Sequence, residues 1–293
     1  TMLQHLAMAQ IPPVPQNANE EQTTPKPPDL ILAIEEPELY QHPNRQRHFA
    51  DILSSLATGR TPGVSERTQI VYCTHSPLFV GIDRIDQIRL LRKTRGDRDK
   101  PKKTIIVSTD LDTVAEKIWK ASGEPGERFT GATLSPRLKT IMTPWMNEGF
   151  FADVAVLVEG EDDRAALLGA ASQCGHDLEK LGISVIPCGG KTNLDRPAAI
   201  FSELGIPVYL IWDGDKEEED SRPEDNHRLL RLVEQATVDY PPTTVSDKYC
   251  CFETDLETVL ANEIGREEFN RFLEEAMAEY GFPQKKHAIK NPL

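Results

Sequence analysis

Two kinds of apolar pattern alternate along the chain. Short, nearly uninterrupted runs occur at "LILAI" (30–34), "TQIVYCT" (68–74), "TIIVST" (104–109), "VAVLV" (154–158), "ISVIP" (183–187) and "IPVYLIW" (206–212). Runs of this length, rich in β-branched residues, predict buried strands. Between them the spacing becomes helical. In 44–57 an apolar face is built by Phe49, Ile52, Leu53 and Leu56, and helices are also predicted at 1–10, 111–121, 135–147, 162–174, 194–204, 224–238 and 263–280. Strand, helix, strand occurs once before residue 80 and again after residue 150, which predicts an α/β fold with parallel sheets.

The proline-rich "PPVPQNANEEQTTPKPP" (12–28) cannot continue a helix or a central strand and reads as a linker or surface loop. No internal repeat is evident. The pattern divides the chain into a first α/β segment over 1–103, a connector over 104–151 and a second α/β domain over 152–293. At 293 residues with 39% apolar content, the chain can bury real cores. Neither a signal core nor 18 uninterrupted apolar residues occur, so a cytoplasmic protein with no membrane partner is expected. Five cysteines without a CxxC pair read as reduced thiols. The beginning in "TMLQHLAMAQ" and the ending in "HAIKNPL" have the look of a segment taken from something longer.

A formal charge of −14 opposes non-specific binding to nucleic acid, but local potential decides binding. Residues 84–103 hold nine Lys or Arg against three Asp, a net +6. This run is either a solvated ribbon or a contact surface for DNA or a partner.

Chemistry concentrates at the predicted strand ends. "LILAIEEPE" delivers Glu35 and Glu36, and "IVYCTHSP" delivers Thr74, His75 and Ser76. If the two strands are adjacent, these groups can serve a Mg²⁺-linked carboxylate, a water-activating carboxylate and a histidine beside a γ-phosphate. An acidic helix start is the alternative. In the second domain Glu159 closes "VAVLV", Gly160 permits a turn, and Asp163 enters the next helix. "VYLIW" delivers Asp213 and Asp215 around Gly214, while "CGGKTN" (188–193) forms a third strand exit. Oxygen donors at converging strand ends suit Mg²⁺ or Mn²⁺. Glu161, Asp162 and the run Glu217, Glu218, Glu219 and Asp220 read as solvated charges or a helix start.

The combination "ILAIEEPELYQHP" with "IVYCTHSPLFV", followed by "LVEGEDD", "PCGGKTN" and "LIWDGD", resembles the OLD (overcoming lysogenization defect) family of nucleases, specifically class 2 by the C-terminal segment. The resemblance implies the distal part of an ABC-type ATPase joined to a Toprim domain. Glu35 would then take the Walker B role, Glu36 the hydrolytic-water role and His75 that of the switch histidine. It also implies a metal site of Glu159, Asp163, Asp213 and Asp215, with Glu253, Asp255 and Glu257 of "FETDLE" as candidates for a second metal and Glu253 preferred. Lys290 in "KKHAIKNP" matches the functional lysine, with Lys286 the runner-up, while Lys191 could position phosphate or order its loop. The implied activity is DNA endonuclease cleavage by a two-metal mechanism using Mg²⁺ or Mn²⁺, regulated by ATP and Mg²⁺ in a complete, homodimeric ATPase. A helicase-like or defence-system partner and a role in phage defence belong to the same implication. The 293 residues contain no G-x-x-x-x-G-K-[ST] loop, so little ATP hydrolysis is expected of this chain alone. The non-catalytic alternative is a nucleic-acid-associated regulatory ATPase segment whose Toprim domain binds metal structurally.

Overall fold

A computed structural model describes residues 29–59, 68–93, 103–140, 144–219 and 221–281. The chain forms two compact units, Thr1–Val80 and Gly81–Leu293. In the first, β1 (Leu30–Glu35) and β2 (Thr68–Cys73) pair in parallel, with Glu35 opposite Cys73. Helix α1 (Pro43–Ala57) opens on Pro43, whose fixed φ suits a first helical position. Its Ala50 and Leu53 join Phe79 in a core closed by Leu32, Ile34, Phe49, Ile70 and Tyr72. Phe79 receives the edges of Phe49 and Tyr72, and the Tyr72 hydroxyl donates to the Phe79 carbonyl at 2.6 Å. The other face of the pair leaves Ile31 and Val71 well exposed, at 70% and 61%.

The second unit begins with an antiparallel pair, β3 (Leu90–Lys93) and β4 (Thr104–Val107). Helix α2 (Leu111–Ala121) starts where Asp110 accepts from the Thr113 amide at 2.8 Å, an N-cap that satisfies a free helical donor. Within the helix expected over 135–147, α3 (Gly131–Thr140) and the short α4 (Pro144–Glu148) are helical, and 141–143 lie outside the described residues.

A five-stranded sheet follows, ordered β6–β5–β7–β9–β8. Strands β5 (Val154–Val158), β6 (Ile183–Pro187), β7 (Val208–Asp213) and β9 (Tyr249–Phe252) are mutually parallel, and only the two-residue edge strand β8 (Thr244–Val245) runs antiparallel. This is the mixed α/β architecture expected. Continuous apolar runs arise because parallel strands are covered on both faces. On one face Val156, Val158 and Val185 pack against Leu167 and Leu168 of α5 (Glu161–Gln173). On the other, α6 (Asp195–Glu203) contributes the fully buried Ile200 and Phe201. The expected helix over 224–238 stops early, as α7 (Pro223–Leu232). Helices α8 (Leu256–Ile264) and α9 (Arg266–Tyr280) break at Gly265.

The segment read as a connector supplies β4 and α2 through α4. Here α2 packs on α6 and α7, Lys117 pairs with Glu203 at 2.7 Å, and Arg231 donates to the Ala121 carbonyl at 3.0 Å. Of the basic run, 94–102 lies outside the described residues. Arg89 and Arg92 use their guanidinium groups on backbone carbonyls, Arg92 on that of Ala152. All five cysteines are free thiols. Among the described residues no helix is long and apolar enough to cross a membrane.

Candidate metal centre

From β5 the chain moves first to β6 on one side and then to β7 on the other, so the sheet order reverses at β5. Ligands of open α/β sheets bind at such a point, outside the carboxyl ends of the strands. Three exits meet here: Glu159 after β5, the 188–193 loop after β6, and Asp213 at the end of β7.

Glu159 is the hub. Its Oε1 accepts from the Asp213 amide at 2.9 Å and its Oε2 from the Lys191 amide at 3.1 Å. The Gly190 amide donates to its carbonyl at 2.8 Å. One carboxylate thus ties all three exits together. Gly189 and Gly190 take φ of 77° and 119°, a left-handed path that brings the Lys191 amide inward.

The Lys191 side chain is only 9% exposed and its ammonium lies 2.8 Å from Asp215 Oδ2. Asp215 itself adopts a left-handed φ of 58°. The turn before it needs glycine: a Cβ on Gly214 would stand 2.5 Å from the Glu253 carbonyl oxygen and 2.8 Å from that of Phe252. Gly214→Ala should therefore displace the 213–215 turn and cost about 2 kcal/mol or more, read as a lower denaturation midpoint. An unchanged midpoint would show that the backbone yields freely.

Burial, reinforced by the charges of Glu159, Asp163, Asp215 and Asp255, pushes the Asp213 carboxyl up to about 8. Burial also raises Glu159 to about 7, against the opposing pull of the Asp213 amide and Lys191. Asp163 is raised chiefly by burial, and its Oδ2 accepts from the Gly160 amide at 2.8 Å, closing the first turn of α5. It therefore has a helix-capping task whatever else it does.

The other predicted residues separate. Asp255 caps α8, accepting from the amide and hydroxyl of Thr258 at 2.7 Å each, and its charge acts on Asp213. Glu253 pairs with Lys216, and Glu257 is exposed in the first turn of α8. Glu161 and Glu217 to Glu219 are exposed. Asp220, Lys286 and Lys290 lie outside the described residues.

As positioned, no three His, Cys, Asp or Glu side chains could together hold a metal ion among the described residues. The donors nevertheless fit a hard divalent cation in kind. They are carboxylate oxygens, and Asp213 Oδ2 makes no hydrogen bond to the described residues, its Oδ1 being taken by the Leu256 amide at 3.1 Å. The Lys191 ammonium occupies Asp215, so cation binding there would require an exchange of partners.

Asn226 went unnoticed in the sequence because it is a lone amide on an amphipathic helix. Fully buried, it accepts from the Trp212 indole at 3.1 Å and donates to the carbonyls of Gly214 at 3.0 Å and Asp239 at 2.7 Å. Asn226→Ala would strand an indole donor and two carbonyls. A loss of about 3 kcal/mol is expected, measured by urea denaturation; a loss below about 1 kcal/mol would argue that water replaces the amide.

In the first unit, Glu36 has a φ of 44° and its Oε1 lies 3.9 Å from His75 Nε2, whereas Glu35 is exposed at the end of β1. The residue that joins the strand exits is Glu38. Its Oε1 accepts from the His75 amide and its Oε2 from the Thr74 hydroxyl, each at 2.7 Å. Burial alone would raise its carboxyl, but these bonds hold it below the usual range. The glutamate two places after "EE" and the Thr-His pair were visible signals.

Together these features define a parallel-strand ATPase-type segment joined to a Toprim-like domain. Residues 150–215 match the family "Overcoming lysogenization defect protein-like, TOPRIM domain", and residues 15–80 match "AAA ATPase domain". The chain belongs to the OLD family. It is 35% identical over 197 residues to the OLD nuclease of Thermus scotoductus (strain ATCC 700910 / SA-01), a match covering 67% of this chain and 33% of that protein. To the Old nuclease of Escherichia phage P2 it is 24% identical over 200 residues, covering 67% and 29%. The match thus spans about a third of the length of these curated relatives. The solved C-terminal region of the Xanthomonas campestris pv. campestris OLD protein aligns over 50% of this chain and 73% of its own. That alignment has 18% identity and a TM-score of 0.33, too low to equate positions.

Proposed function

We propose that the chain is part of a metal-dependent DNA endonuclease whose cutting centre is Glu159, Asp213 and Asp215, regulated by the ATPase module of the full-length protein. The observation that carries this reading is the convergence of these carboxylates at the sheet's switch point, within the segment matching the family's Toprim model. Glu159, Asp213 and Asp215 would hold Mg²⁺ or Mn²⁺, with Asp163 and Asp255 beside them. Such cations supply Lewis acidity and a more acidic bound water.

The chain's own groups have definite tasks. Glu159 fixes the mutual position of the three exits. Lys191, released from Asp215, can turn its ammonium to a phosphate oxygen, where it opposes the charge that grows during displacement. Gly214 and Asn226 hold the 213–215 turn. In the ATPase segment, Glu35 and Glu36 are assigned to Mg²⁺ and water, and His75 to the nucleotide phosphate. These roles require ATP and the homodimer of the complete protein. Lys290, or Lys286, and Glu253 are the remaining assignments carried by the family resemblance.

The deciding experiment is a cleavage panel of supercoiled plasmid, linear DNA and RNA with Mg²⁺, Mn²⁺ or EDTA, run on this chain and on the full-length protein. Nicking or linearisation that EDTA abolishes is expected. Absence of cutting by the folded full-length protein on every DNA substrate would overturn the reading in favour of a non-catalytic metal-binding domain.

A further inference from the structure

Lys191 is held at two points by two different carboxylates. Its amide donates to Glu159 Oε2 at 3.1 Å, while its ammonium donates to Asp215 Oδ2 at 2.8 Å. The backbone on both sides of this ion pair is pinned. Gly189 and Gly190 set the left-handed path into Lys191, the Gly190 amide donates to the Glu159 carbonyl, and the Asp215 amide donates to that of Thr254 at 3.0 Å. Movement is left to the side chains, and lysine carries its charge on a flexible four-carbon stem.

Burial makes the partner of this ammonium matter. The Lys191 side chain is 9% exposed against 26% for Asp215, so water is a poor substitute for the carboxylate on the lysine side. A buried charge deprived of its counter-ion is costly. A divalent cation on Asp215 competes with the ammonium directly, because both seek one carboxylate and repel each other at the separation that sharing would impose. Cation binding alone would strand the ammonium.

Phosphate binding alone meets the opposite obstacle. The ammonium is engaged, and the carboxylates of Glu159, Asp213 and Asp215 oppose an anion. Together the two ligands remove both obstacles: the cation neutralises the carboxylates, and the released ammonium takes a phosphate oxygen as its charged acceptor. The fixed Lys191 amide keeps the stem of the side chain in place throughout.

We infer that Lys191 couples cation binding to DNA binding, passing its ammonium from Asp215 to a phosphate oxygen when the cation arrives. The inference rests on the proposed nuclease function and adds a mutual dependence to it. By linkage, the factor by which the cation tightens DNA equals the factor by which DNA tightens the cation.

The test measures that factor in the full-length protein, with Ca²⁺ replacing Mg²⁺ to hold cleavage off. A short fluorescein-labelled duplex is titrated with and without Ca²⁺, and Ca²⁺ with and without duplex. Wild type should show a coupling of about thirtyfold. In Lys191→Met, Ca²⁺ alone should bind about tenfold more tightly while its affinity with duplex present stays within about threefold of wild type, so the coupling should fall about tenfold. Lys191→Arg, which keeps the charge, should retain more coupling than the methionine variant, and Lys191→Gln provides the reading if that variant is unstable. A lysine that merely repels the cation would leave the coupling unchanged in Lys191→Met, tightening Ca²⁺ equally with and without duplex. That result, or wild-type duplex affinity indifferent to Ca²⁺, would overturn the exchange. Either of these in a protein that cuts DNA would leave the nuclease reading standing, whereas Lys191-dependent coupling in a protein that never cuts would sink that reading and keep the exchange.

Discussion

Asp213→Asn should reduce DNA cleavage by about a thousandfold or more at saturating Mg²⁺ while making the metal-free protein more stable. Both effects have one origin. Asp213 is half-buried among Glu159, Asp163, Asp215 and Asp255, and these surroundings push its carboxyl up to about 8. Removing the charge relieves repulsion, so a gain of about 1–3 kcal/mol is expected at pH 8. Removing the oxygen donor would deprive the proposed divalent cation of its least encumbered ligand. Cleavage rates on plasmid and thermal denaturation of the same preparation check the two halves. Cutting within tenfold of wild type would remove Asp213 from the centre.

The metal-free chain should lose stability as pH rises from about 5 to 8, by on the order of 3 kcal/mol, and Mg²⁺ should restore it. In the unfolded chain Glu159 and Asp213 titrate near 4.5 and 3.8, whereas in the fold they titrate near 7 and 8. Between those limits the folded state retains protons that the unfolded state has released, so stability falls with rising pH and levels off above about 8. Cation binding must expel the same protons, and its apparent affinity should climb through this window. Denaturation midpoints at pH 5.5, 7 and 8.5, with EDTA and with Mg²⁺, give the measurement. A flat metal-free profile, or one unchanged in Glu159→Gln, would mean that these carboxyls titrate normally.

The strands and their ends were legible because burial on both faces writes a continuous apolar run. That is why Glu159, Asp213, Asp215 and the 188–193 loop could be brought together from sequence. What each oxygen does was not legible. The hydrogen bonds that the Asp213 and Lys191 amides donate to Glu159 span 54 and 32 residues and exist only once the sheet has assembled. Asp163 shows the same limit, since one carboxylate at a helix start can serve the helix, a cation or both. The bonds of Asn226 reach Trp212, Gly214 and Asp239 on separate segments, while its own position looks like an ordinary solvated helix face when read singly. The end of α7 falls short of the expected 238 because Glu234 turns left-handed, with a φ of 60°, and the Gln235 amide closes back on the Leu230 carbonyl.

Glu38 grips the loop after β2 by both of its oxygens, at the His75 amide and the Thr74 hydroxyl. It is rooted in the turn that follows β1, so the two strand exits are linked as by a stiff strut. A push on His75 is then delivered to the backbone beside Glu36 as a displacement of the whole turn. In mechanical terms, the segment offers a lever arm between the two strand exits.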